Sequence, residues 1–260
     1  MSTNNQMDFY DFLAVLGALA WLVPLISWIR NLLLKPKLSI ISHKELEIGY
    51  TTLVPILNIN LAFSVEKKEA LIKKIDIILR HENNETHQFS WDWFEEQVLQ
   101  MEIPDPDLGS MPFKKNQKAI AIKVLTDTLI ERKIGFQKEE FKEAYNKLFN
   151  STNEIYNNIY QSSADIDSFK ISKEYNEFLD YFKNSFIWKV GKYSAKIKVY
   201  IEHVVPFEHD LNFQLTNLEL KGLETNINTC QKTIKNHYTK EDPGYKADWK
   251  FVNPYKIEQK

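Results

Sequence analysis

Cysteine is almost missing from this chain. Cys230 stands alone, so no disulfide can form within one copy, which fits a reducing compartment. Glycine is scarce too, seven in 260 residues, and no Gly-rich phosphate loop is present. G-x-S-x-G, H-E-x-x-H and C-x-x-C are also absent, removing the usual nucleophile-elbow, zincin and thiol-redox signatures. The only arginines are Arg30, Arg80 and Arg132. Lysine supplies the other basic charge, which argues against base or phosphate readout, where the planar fork is favoured. The net charge of −2 creates no field to attract nucleic acid. No nucleic-acid partner and no cofactor is expected. The wealth of Lys, Asn and Ile suggests an AT-rich microbial genome.

What is present begins with an uncharged apolar run, Phe12 to Ile29. A helix over 10–34 would be about 37 Å long, enough to cross a hydrocarbon core of roughly 30 Å. The preceding tail, residues 1–9, has no basic residue, and the run ends in Trp28-Ile29-Arg30 rather than small residues, unlike a cleaved signal peptide. Buried core helices usually stop at 10–14 apolar residues. The expectation is therefore a single transmembrane helix with the bilayer as a partner. Arg30, Lys35, Lys37 and Lys44 all follow the span, which predicts an outward N-terminus and a cytoplasmic C-terminal domain at the inner membrane. Ala14, Gly17 and Ala18 could let such helices pack closely.

From residue 37 the pattern switches to period two. Residues 56–65, 71–79, 86–93, 118–126, 195–205 and 210–220 alternate apolar and polar, as half-buried strands do. A first strand holds Leu38 and Ile40. Residues 138–160 and 172–187 carry apolar side chains at helical spacing, with Ser172 as an N-cap, and a last helix is expected over 222–237. The loop Pro104–Gly109 separates two of the strands. The predicted fold is α+β: the spanning helix, then a mainly antiparallel β-sandwich over 37–260 with a helical insertion at about 138–188 and a C-terminal helix. Strand count and spacing resemble an immunoglobulin-like or arrestin-like sandwich, although the Cys…Trp…Cys pattern is missing.

Two stretches could carry function. Trp91, Trp93, Phe94 and Glu95 join aromatic rings to acids, a composition found at partner-binding surfaces. The alternative is that the rings fill the core and the acids face water. His203, His209 and Asp210, with Glu208, could converge across a hairpin as weak metal or hydrolytic candidates. Their spacing is not a zinc spacing, and a polar turn explains them equally. No catalytic residue is assigned and no metal is expected. The sequence points to a binding, sensor or oligomerising module with a protein partner or a second copy. The alternatives are a membrane-perturbing defence effector whose spanning helices assemble, and an enzyme using the His203–Asp210 region.

Overall fold

The computed structural model describes residues 9–102, 110–162, 165–202 and 204–257. The apolar run does form a helix, α1 (Phe9–Leu33). The expected membrane span, however, is not supported: among the described residues no helix is long and apolar enough to cross a membrane. The single-pass, N-terminus-out, inner-membrane localisation falls with it.

After α1 come β1 (Lys37–Thr51), β2 (Val54–Glu66), β3 (Ala70–His81), β4 (Thr86–Glu102), β5 (Ser110–Lys118), β6 (Ile122–Val124) and β7 (Leu129–Gln137). Three helices follow: α2 (Glu139–Gln161), α3 (Ile166–Lys170) and α4 (Lys173–Asn184). The chain then returns to strands with β8 (Gly191–Ile201) and β9 (Phe207–Leu215), before α5 (Asn217–Thr239) and two short strands, β10 (Phe251–Val252) and β11 (Tyr255–Ile257).

The strands form one sheet, not the two packed sheets of a sandwich. Its order is β10-β1-β2-β7-β4-β3-β8-β9-β11, with β5 on β4 and β6 on β3. The expected sandwich is thus replaced by a curled half-barrel. Alternation specifies that one face of each strand is buried; it does not specify whether that face meets a second sheet or the same sheet bent round. Register shifts at Ser42/Leu46, Ile72/Lys74 and Trp91/Trp93 mark irregularities at which strands of this kind bend.

The inner face is a filled core. Leu57, Ile59, Leu61 and Phe63 of β2, Ile75 and Ile77 of β3, and Ile197 and Val199 of β8 are all buried. Ile59 lies opposite Ile134 and Ile77 opposite Ile197. The two sheet edges meet through the C-terminal segment. β10 pairs with β1 at Ile48 and Gly49. Only Asn253 and Pro254 later, β11 pairs with β9 at Asn212–Gln214. Asn226 of α5 anchors the approach to this strap, donating from Nδ2 to the Lys250 carbonyl (2.7 Å) and accepting from its N–H (2.9 Å).

The helices close one end of the curl. The Tyr50 hydroxyl donates to the Phe182 carbonyl, and Trp188 Nε1 donates to the Gly49 carbonyl at 3.1 Å. Phe169, Tyr175 and Tyr238 cluster between α3, α4 and α5, with ring centroids 4.7–6.2 Å apart. Ser172 caps α4 as expected, accepting from Tyr175 N–H. Thr216 and Glu219 form a capping box at the start of α5, six residues before the expected beginning of that helix. The loop expected at Pro104–Gly109 lies outside the described residues. The far end, where β1 begins, carries the features described next.

Candidate functional site

The site follows from where β4 parts from its neighbours. Residues Thr86–Ser90 pair with β3, and Ser90–Phe94 pair with β7. From Trp93 onward β4 also pairs with β5, as far as Glu102 opposite Ser110, and beyond Phe94 it pairs with β5 and no longer with β7. β4 and β5 therefore form an arm leaving the curl. Trp93 sets the departure point. Its indole covers Gly135 so closely that a Cβ there would lie 2.1 Å from Nε1. Phe94 is buried in the core and Trp91 packs half-buried against it, so these rings are packing groups rather than a free aromatic surface. Glu95 sits on the arm beside a cleft, where Lys114 pairs with it at 2.9 Å.

That cleft has a volume of about 510 Å³. β1 contributes Ile41 and His43, β2 Asn60, Leu61 and Ala62, β7 Glu131, Arg132 and Lys133, and the arm Glu95 and Lys114. Ile41, Leu61 and Ala62 are its apolar members, and the other lining residues are polar or charged. Lys133 Nζ lies 3.1 Å from Glu47 Oε1, and the same oxygen accepts from Asn58 Nδ2 at 2.6 Å. Each lysine on the walls thus already has a carboxylate.

Arg132 is different. Its position in β7 shares the parity of the buried Ile134 and Phe136, yet beyond Phe94 no β4 residue pairs with β7. Arg132 Nη1 donates to the Glu131 carbonyl at 3.0 Å. Nη2 is 3.9 Å from Glu96 Oε1, beyond hydrogen-bond range. Nε is buried and meets no acceptor among the described residues. Glu96 accepts from Gln117 Nε2 at 2.6 Å through its other oxygen, Oε2, so the Arg132–Glu96 contact is a long ion pair without a hydrogen bond. The edge of the guanidinium formed by Nε and Nη2, which grips carboxylates side-on, therefore lacks a close acceptor.

The other sequence candidates are His203, His209 and Asp210. His203 lies outside the described residues. His209 and Asp210 are adjacent in β9 and point to opposite faces: Asp210 reaches Lys196 at 3.6 Å on the outside, while His209 Nε2 lies 3.0 Å from Ser42 Oγ across the sheet seam. Lys256 of β11 also donates to Ser42 Oγ, at 3.2 Å, and to the His43 carbonyl. Burial is the main cause holding the His209 pKa below its ordinary value, helped by the Lys256 charge and opposed by Asp210. Burial lowers that of Lys256 as well. A serine beside a neutral imidazole resembles a nucleophile–base pair, but neither Ser42 nor His209 lines the cleft. Their hydrogen bonds join β1 to β9 and β11, acting as a clasp. Among the described residues no three potential ligands are grouped to hold a metal ion. Cys230 is buried, and burial pushes its thiol pKa up, away from thiolate reactivity.

Ala14 and Ala18 have side chains outside the described set, while Gly17 is open, with nothing within 4 Å of a Cβ built there. A second cavity, about 450 Å³, lies on the outer face by Arg80, Glu82 and Lys192. There Arg80 Nη2 already donates to Asn84 Oδ1 at 2.5 Å. Of the cleft residues only Glu95 was singled out in sequence. Arg132 sits in a run, Glu131-Arg132-Lys133, whose one usable signal is the rarity of arginine in this chain. Compared with protein families, curated proteins and solved structures, the chain matches none.

Proposed function

We propose that this chain works by binding rather than turnover, and that the cleft under the β4–β5 arm takes a small ligand bearing a carboxylate. The observation that carries this reading is Arg132. A buried donor without an acceptor costs about 1–3 kcal/mol, and native structures rarely leave one without a purpose. A carboxylate gripped by Nε and Nη2 removes that cost and adds a charge-assisted bidentate pair. The guanidinium side chain is 27% exposed, so it is reachable from the cleft. The cleft volume falls within the ordinary range of small-molecule sites. Ile41 and Ala62 offer apolar contacts for the rest of the ligand, and Glu131 suits a positive group on it.

Titration calorimetry with three probes tests this reading: butyrate, succinate and L-glutamate. Saturable one-to-one binding of at least one probe is expected, with L-glutamate favoured because it meets both signs of charge. Arg132→Lys keeps the charge but loses the fork, so affinity should fall at least tenfold. No binding by any probe, or equal binding by the Lys variant, would overturn the proposal.

A further inference from the structure

Every described side chain of α1 is exposed, including Leu16, Gly17 and all residues from Leu19 to Arg30. Trp21 is 76% exposed, Val23 70%, Ile26 61% and Trp28 61%. At 100° per residue Trp21 and Trp28 share one side and Val23 and Ile26 lie on the opposite one, so apolar rings and branches face both ways and the helix has no polar face to turn to water. A lone copy would expose apolar area on the order of 1,000 Å², where the largest patch on a typical monomer is about 300–600 Å². That area exceeds the roughly 800 Å² that each partner contributes to a standard stable interface.

One stripe is shaped for another helix. Gly17, Trp21, Pro24 and Trp28 follow the four-three-four spacing of a helix–helix seam. An apolar groove of about 530 Å³ opens on it, between Trp21, Leu22, Pro24, Leu25 and Trp28. One turn before Trp21, Gly17 leaves open space where a side chain would otherwise hold a neighbour away. A second helix can seat its ridge in the groove and approach closely at Gly17.

We infer that α1 is a self-association element that gathers three or more copies of this chain into a helical bundle, with the curled sheets around it. The occupant is the same helix of another copy, for two reasons. The apolar area of α1 is sufficient for a stable interface, and an identical helix brings an identical groove, Gly17 opening and all-round apolar surface. A single pair would cover the Trp21–Trp28 stripe and leave Val23 and Ile26 in water, so two copies are not enough. Closed rotational symmetry satisfies every copy alike. The bundle lies at the same end of the domain as the cleft, because α1 enters β1 directly through residues 34–36. This inference stands independently of the Arg132 reading.

Sedimentation velocity and mass photometry on the purified full chain decide it. The unaltered chain should run as a discrete species of at least three copies. Trp21→Glu combined with Leu25→Glu places charges in the groove and should give single chains, with the β signal in circular dichroism and the unfolding temperature unchanged. Gly17→Ile should weaken association. Leu218→Glu removes an apolar group that is 82% exposed elsewhere and should leave the assembly intact. The inference is overturned if the unaltered chain is monomeric, whether free in buffer or one copy per detergent micelle. It is equally overturned if the species is a dimer, if the groove variant keeps the original mass, or if Leu218→Glu disperses the assembly as fully as the groove variant does.

Discussion

Trp93 and Gly135 face each other across the β4–β7 pair, with the indole occupying the space that any side chain at 135 would need. This contact fixes where β4 leaves β7, and so where the arm over the cleft begins. Gly135→Ala should displace the indole. Overpacking of this kind costs roughly 1–3 kcal/mol, and the arm should lose its angle. Chemical denaturation should show the loss of stability, and hydrogen exchange should show faster opening at 93–96. Unchanged stability would mean that the ring yields freely.

Asn226 holds the strap that joins the two sheet edges. It is fully buried and makes both of its hydrogen bonds to the backbone of Lys250. Asn226→Ala should lower stability by about 1–3 kcal/mol. Amide exchange should rise at Phe251–Ile257 and at the β9 residues that pair with them, ahead of the rest of the sheet. A uniform rise across all strands would show that the strap is not a separate unit.

His209 makes the clasp sensitive to pH. Its folded pKa is held below 6.5, chiefly by burial, and that of His87 is lowered by burial and by Lys138. The unfolded chain then binds protons more readily than the folded one, so stability falls as pH drops through about 6.5 toward the folded pKa values. Glu85 and Glu208, held low by their lysine partners, act in a more acidic window. Denaturant midpoints across the histidine window should fall with acidification. His209→Gln keeps a partner for Ser42 and should flatten part of that slope. A slope identical to the parent would remove His209 from the account.

Much of the secondary structure was legible. The alternation at 56–65, 71–79 and 195–205 corresponds to β2, β3 and β8, although β8 ends at Ile201, and Ser172 marks the start of α4. β7 was missed because Glu131, Arg132 and Lys133 interrupt its apolar alternation just where the strand borders the cleft instead of β4. The first turn of α5 reads as strand in the sequence because Leu218 and Leu220 alternate with polar residues, although Thr216 and Glu219 spell a capping box. The closure of the sheet was not legible, since Lys256 meeting Ser42 spans more than two hundred residues of chain. The apolar run of α1 correctly signalled a helix; its length alone led to the membrane expectation that the described residues do not support. Glu95 reads in the sequence as part of an aromatic partner surface; it lines the cleft, while Phe94 and Trp91 pack against the core.

The most direct measurement of the central claim is the side-chain Nε–H resonance of Arg132 in a nitrogen-15 labelled sample. With no ligand, this proton meets no acceptor among the described residues. Adding L-glutamate, succinate or butyrate should shift the resonance saturably and slow its exchange with water, as a carboxylate closes on Nε and Nη2, while the resonances of Arg30 and Arg80 stay in place. If the Arg132 signal does not move with any of the three, or if all three arginines move together, the cleft is not a carboxylate site.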